Sequence, residues 1–130
     1  MKYLYFKLWQ TFKKIPTNDM PATNAMIFIS MCHFANIFII HLILSLNSFA
    51  SMKFNLKSEI YAFTVPMCLL IYVLNYLYLY KNRDKLFEKY KDESKRQKFI
   101  GNILLVLYIA ISFGLVFYLG PKYTLSIAVQ

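Results

Sequence analysis

Three long stretches of the chain carry no charged side chain: Met20 to Met52, Ile60 to Tyr80 and Phe99 to Pro121. Each reaches or exceeds the roughly 20 apolar residues that an α-helix needs to cross a hydrocarbon core. The second ends in "VLNYLYLYKNRDK", Val73 to Lys85, where tyrosine and leucine alternate with the two-residue period of a half-buried strand. That alternation is only the tail of an apolar run that already contains "CLLIYVLN" and has no turn residues to bound a strand. Length therefore outweighs local period, and the reading is helix. Strands of an outer-membrane barrel are about 10 residues long with alternating polar positions, a pattern that neither outer run shows. The hydropathy pattern predicts an all-α integral membrane three-helix bundle in a single domain, 1–130. Its spans are 20–50, 59–81 (continuing to about residue 92) and 95–119.

The segments between these runs have their own patterns. "MKYLYFKLWQTFKKIP" sets Leu4, Leu8, Phe12 and Ile15 on one helical face beside Tyr5 and Trp9, with Lys7, Lys13 and Lys14 elsewhere. This predicts an interfacial amphipathic helix over 1–16, ended by Pro16. "TNDMP" offers Asp19 as the next cap, with Pro21 in the first turn. A short outer loop, "SMKFNLKSE", follows the first span, with Ser58 as a cap. Pro66 is expected to kink the second helix where that helix begins before it. In "KNRDKLFEKYKDESKRQKF", Glu88 precedes Lys91 by three residues and Asp92 precedes Arg96 by four, while Leu86, Phe87 and Tyr90 form an apolar side. Ser94 and Gln97 fit a capping box that opens the third helix, making the connection a cytoplasmic helical hairpin extension. Gly120 and Pro121 should stop that helix and leave 120–130 as an outer tail. "NSFAS" holds small residues at plausible cleavage positions, but the preceding apolar run is too long for a signal-peptide core, so an uncleaved anchor is expected.

Charge adds sidedness. Of the 15 Lys and Arg residues, Lys2, Lys7, Lys13 and Lys14 precede the first run, and eight lie between Lys81 and Lys98. Only Lys53, Lys57 and Lys122 fall on the opposite side. This positive-inside distribution predicts a cytoplasmic N-terminus and an outer C-terminus. Trp9, Tyr76, Tyr78, Tyr80, Lys81 and Arg83 are the expected membrane-interface residues, rings at headgroup level and cations facing phosphate. The net charge of +9 is then mostly a property of one face, spread along membrane borders without a nucleic-acid-binding motif.

Candidate chemistry is sparse. With His33 at zero on a helical projection, Ser30, His33, Asn36, His41, Asn47 and Ser48 fall between about −60 and +80 degrees. Such groups are costly against lipid, so the stripe should face the bundle. Thr64, Cys68, Asn75 and Asn82 share a face of the second span with Tyr61 and Tyr72. The third span offers Tyr108 and Ser112 on one side and the small pair Ala110 and Gly114 on another. Helix-to-helix hydrogen bonding accounts for the stripe most simply; the alternative is the wall of a wet path, which three helices could enclose only as oligomers. Cys32 beside Met31 and His33, and Cys68 beside Met67, are soft-ligand types at compatible depths. Two cysteines without paired ligand spacing do not make a metal site, and buried thiols usually act as small hydrophobes. No metal, cofactor or disulfide is expected. There are no paired intramembrane carboxylates, no GxSxG or HExxH, and no phosphate loop among three glycines, so no enzymatic activity or small-molecule substrate is expected.

The whole chain resembles the small uncharacterised three-span inner-membrane proteins of bacteria, with the second half, "NYLYLYKNRDKLFEKYKDE" through "LYIAISFGLVFY", carrying most of the likeness. That resemblance implies the fold and the location and brings no catalytic residues. Some such proteins are accessory, regulatory or immunity-type partners of other gene products, and here it implies partnership with the bilayer and with another membrane protein or a second copy. The rival is an oligomeric channel or membrane-disrupting effector that uses the polar stripe of the first span.

Overall fold

A computed structural model describes residues 1–46 and 57–128 of the chain. All regular structure among them is helical: α1 (Lys2–Lys13), α2 (Pro21–Leu46), α3 (Lys57–Asn75), a π-helical segment (Tyr76–Tyr80), α4 (Arg83–Tyr90) and α5 (Lys95–Ala128). Three helices, over Pro21–Leu44, Tyr61–Tyr80 and Lys95–Lys122, are long and apolar enough to cross a membrane. Asn47, Ser48, the "NSFAS" stretch and the loop around Lys53 lie outside the described residues.

The centre of the molecule is α2. Helices α1, α3 and α5 each pack on it, and α3 and α5 have no extensive contact with one another among the described residues. The principal core lies toward the start of α2, where Tyr5 and Leu8 of α1 meet Ala25, Met26 and Ile29, with Leu79, Leu86 and Leu105 closing it. Toward the other end the spans leave most of their apolar surface outside. Within the molecule α3 and α5 bury only 17% and 11% of their most apolar windows.

Several local expectations are corrected. The stretch that alternates Tyr and Leu is neither strand nor plain α-helix. It winds as π-helix, closed by the Lys81 N–H donating to the Tyr76 carbonyl at 2.9 Å. Wider winding frees carbonyls, and the Asn82 side-chain amide takes up two of them, Leu77 at 3.1 Å and Tyr78 at 3.4 Å. The second span therefore does not continue as one α-helix to residue 92. A π segment and a turn at Lys81–Asn82 separate it from α4. Helix α1 stops at Lys13, short of Pro16, because the residue before a proline is pushed out of the helical region. Asn18, not Asp19, organises the start of α2: its side-chain oxygen accepts from the Met20 N–H at 3.2 Å and from the Asn24 amide at 2.7 Å. Ser58 lies within α3, which is described from Lys57 onward, and the cap expected there falls on a side chain outside the described ones. Pro66 lies inside α3, so that helix does begin before it. Helix α5 passes through Pro121 to Ala128, where a tail was expected. The amide missing at Pro121 would have bonded the carbonyl of Phe117, whose surroundings are open, so its loss strands no buried group. Asp92 and Arg96 form no ion pair among the described residues, since the turn between α4 and α5 breaks the helix they would share.

Other expectations agree with the structure. Ser94 Oγ accepts from the Gln97 N–H at 3.2 Å while Gln97 Oε1 accepts from the Ser94 N–H at 2.9 Å, the reciprocal pair of a capping box. Lys91 is bonded to Glu88.

Candidate functional site

Two polar constellations are held inside the bundle. The first starts from Asn75, buried at the last turn of α3. Its amide nitrogen donates to Ser30 Oγ at 2.9 Å and lies 3.0 Å from His33 Nδ1. Ser30 already gives its only proton to the Met26 carbonyl, at 2.8 Å, so its oxygen accepts from Asn75. The second Asn75 N–H then requires an unprotonated His33 Nδ1, which places the ring proton on Nε2. One asparagine thus ties Ser30 and His33 of α2 to the end of α3.

Three residues beyond His33, the Asn36 amide donates to the Tyr108 hydroxyl at 3.0 Å, and Ser112 is fully buried one turn further along α5. The stripe is therefore divided between two neighbours. Ser30 and His33 bond to α3, and Asn36 bonds to α5. The His41 ring lies 6.2 Å from those of Phe38 and Phe63.

Not every proposed residue joins. Cys68 is exposed while Cys32 is buried, so the two thiols do not converge, and no cluster of three potential metal ligands exists among the described residues. Tyr61 and Tyr72 also face outward. The buried seam of α3 runs through Ile71, Asn75 and on to Leu79, a line of every fourth residue. Such a seam drifts around a helix that crosses its neighbour at an angle, so a fixed-angle projection puts Cys68 on the wrong side. Ala110 is exposed and a side chain at Gly114 would meet only open space, so this small pair packs against no other helix among the described residues.

The second constellation is one that sequence reasoning missed. Lys7, expected on the polar face of α1, is 2 % exposed and its Nζ lies 3.0 Å from Glu93 Oε2, itself on a side chain 4 % exposed. Gln10 Oε1 accepts a further bond from Nζ at 3.1 Å. Tyr3 donates to the Gln97 carbonyl at 3.0 Å, and its phenol is pushed up to about 12 by burial first and by the Glu93 carboxylate second. Close approach here depends on Gly101: a Cβ at that position would stand 2.2 Å from the Tyr3 hydroxyl and 2.8 Å from Lys7 Cε. The one available sequence signal was a glycine in the first turns of α5, which lets another helix come near.

Around this pair α1 uses its rings inside the protein. Trp9 stacks on Phe87 at 4.0 Å, Tyr5 on Phe87 at 5.6 Å, and Tyr3 meets Tyr90 edge-on at 5.3 Å. The apolar face expected to lie in a leaflet is thus largely occupied by α2, α4 and α5. Of the other expected interface residues, Tyr76, Tyr78 and Lys81 are exposed. Tyr80 instead turns toward α2, its hydroxyl 3.5 Å from Thr23 Oγ1, with Arg83 over its ring at 4.5 Å.

The architecture is that of an all-helical protein with three helices capable of crossing a membrane. No protein-family model, curated protein or solved structure matches the chain.

Proposed function

We propose that this is a non-enzymatic integral protein of a bacterial inner membrane, N-terminus inside and C-terminus outside. It acts as an accessory, regulatory or immunity-type partner by binding another membrane component through its helices. One observation carries the reading: the second and third candidate spans bury only 17% and 11% of their most apolar windows inside the molecule. The outward residues, among them Leu69, Leu70, Val106 and Leu107, are apolar, while Ser30, His33 and Asn36 are engaged within the bundle. Helices of this kind have whole faces free for lipid or for another helix. The sidedness rests on the twelve lysines and arginines at the α1 end against Lys53, Lys57 and Lys122 at the other, where Lys122 stands over the ring of Tyr118, 4.0 Å from its centre. Helix α1 then sits at the inner surface as a packed cover, not as a free interfacial helix.

The channel reading has less support. A water path needs polar groups turned to one lumen, and here Ser30 and His33 are tied to α3 and Asn36 to α5.

The test is photo-crosslinking in native membranes from probes placed singly at Leu69, Val106 and Gly114, with one at buried Ile71 as control. Adducts to a protein at one or more outward positions and none at Ile71 are expected. Recovery of the uncrosslinked monomer from all three outward positions would refute the proposal.

A further inference from the structure

A groove of about 1120 Å³ runs along the side of the molecule between α1, α4 and the first half of α5. Its lining is mixed in chemistry: Lys13, Lys14 and Lys98 supply cations, and Phe12, Phe28, Leu105 and Ile109 supply apolar surface. We propose that this groove binds an anionic phospholipid of the inner leaflet, its phosphate among the three lysines and an acyl chain along the apolar floor. The proposal rests on the membrane placement argued above.

Charge bookkeeping separates these lysines from the rest. Lys7 and Lys91 also line the groove, but Glu93 and Glu88 neutralise them, and Asp84 lies beside Arg83 at 3.7 Å. Among the described residues no carboxylate comes within ion-pair distance of Lys13, Lys14 or Lys98. Three uncompensated cations thus line one groove. Lys98 lies in the first turn of α5, at the positive end of the helix dipole. Exposed Asn102, one turn on, provides a further donor at the polar-to-apolar boundary.

The dimensions agree with one lipid chain. From Lys98 to Ile109 the axis of α5 advances about 16 Å, half of a hydrocarbon core roughly 30 Å thick. A phosphate at the lysines would therefore let its chain reach the midplane against Leu105 and Ile109. The wall on the α1 side is Trp9, with Lys13 Nζ 5.0 Å above its ring. A neutral lipid could fill the same floor but would leave three lysines unmatched, and a soluble phosphate would leave the floor empty.

Trp9 is the only tryptophan, so it reports on the groove directly. The protein is reconstituted in phosphatidylcholine vesicles that contain a small fraction of either phosphatidylglycerol or phosphatidylcholine with brominated chains, which quench indole on contact. Stronger quenching by brominated phosphatidylglycerol is expected. Each lysine should contribute about fivefold to that preference, so Lys98→Gln alone lowers it measurably and Lys13→Gln/Lys14→Gln/Lys98→Gln abolishes it. Lys81→Gln/Lys85→Gln/Arg96→Gln removes equal charge outside the groove and should leave the preference intact. Glycerol phosphate added to the buffer should not relieve the quenching. Equal quenching by the two lipids, equal loss in the two triple variants, or relief by glycerol phosphate would each overturn the proposal. Extraction of the protein from membranes by alkaline carbonate would refute the membrane placement as well, whereas retention with equal quenching would refute the lipid site alone.

Discussion

Removing one partner of the Lys7–Glu93 pair should loosen α1 far more than removing both. At 3.0 Å and an effective dielectric near 20, the attraction between the two charges is about 5.5 kcal/mol. Taking each ion out of water costs several kcal/mol, so the intact pair contributes little net stability. Truncation is different. Lys7→Met leaves a carboxylate on a side chain 4 % exposed with its cation gone, and Glu93→Leu leaves an ammonium with only Gln10 Oε1 to accept from it. Each single change should cost about 3–5 kcal/mol, and the apolar double variant Lys7→Met/Glu93→Leu should fall within about 1–2 kcal/mol of the parent. Denaturant unfolding in mild detergent, followed by Trp9 emission, measures this, because Trp9 leaves its stack on Phe87 when α1 undocks. Single variants within about 0.5 kcal/mol of the parent, or a double variant as unstable as the sum of the singles, would refute the burial argument.

Three further outcomes are expected. Gly101→Leu should displace Tyr3 and Lys7 together and destabilise α1 docking by about 1–3 kcal/mol, with little additional loss when Lys7→Met is added; full additivity in the same unfolding assay would contradict the shared site. Asn75→Leu removes two contacts at the end of α3 and should cost about 1–2 kcal/mol by reversible unfolding in detergent, with a shift in the His33 ring resonances in NMR spectra; unchanged resonances would show that Asn75 does not hold that ring. Tyr3 is held neutral when α1 is docked, with its phenol raised to about 12, whereas an undocked tyrosine ionises near 10. Docking stability is therefore full below pH 10 and declines between pH 10 and 12 as the undocked phenol releases its proton first. Buried Tyr5, pushed up chiefly by burial, acts in the same direction, so Tyr3→Phe should flatten the decline only partly. A Tyr3→Phe profile identical to the parent would remove Tyr3 from the account.

Elements whose cause is local were legible in the sequence. Uncharged length marks the three long helices, and the Ser94 and Gln97 pair marks the start of α5, because a helix end needs partners for its free amides wherever it lies. The inward turn of Ser30, His33 and Asn36 was legible for a similar reason, since polar groups on an apolar helix seek partners. Their particular partners were not. Asn75 and Tyr108 could be named as polar positions, but which one reaches which residue of α2 depends on crossing geometry that no single helix encodes. The π-helical winding of Tyr76–Tyr80 likewise has no signature in a tyrosine and leucine alternation. Lys7 was read as solvent-facing because, on an isolated amphipathic helix, that is where a lysine belongs. Its burial follows from Glu93 and Gly101, distant residues that only the fold brings beside it.

That misreading bears on what the ion pair does. The aromatic face of α1 is permissive: Tyr5, Phe6 and Trp9 all approach the Phe87 ring at distances from 4.0 to 6.1 Å, and rings packed on rings tolerate sliding. A shift by one helical turn would keep apolar area buried, but it would carry Lys7 away from Glu93 and set Tyr3 against a different residue of α5. Only one register satisfies the buried ammonium and uses the gap at Gly101. The pair is therefore better understood as selecting the position of α1 than as stabilising it, which is the best-attested use of a buried polar contact. The same register sets where Lys13 and Lys14 stand relative to Lys98. In the Lys7→Met/Glu93→Leu variant α1 should stay docked yet sample more than one register, so the preference of Trp9 for the anionic brominated lipid should weaken while its emission stays that of a buried indole. If that preference persists at full strength, the aromatic packing alone positions the helix and the ion pair has no part in shaping the groove.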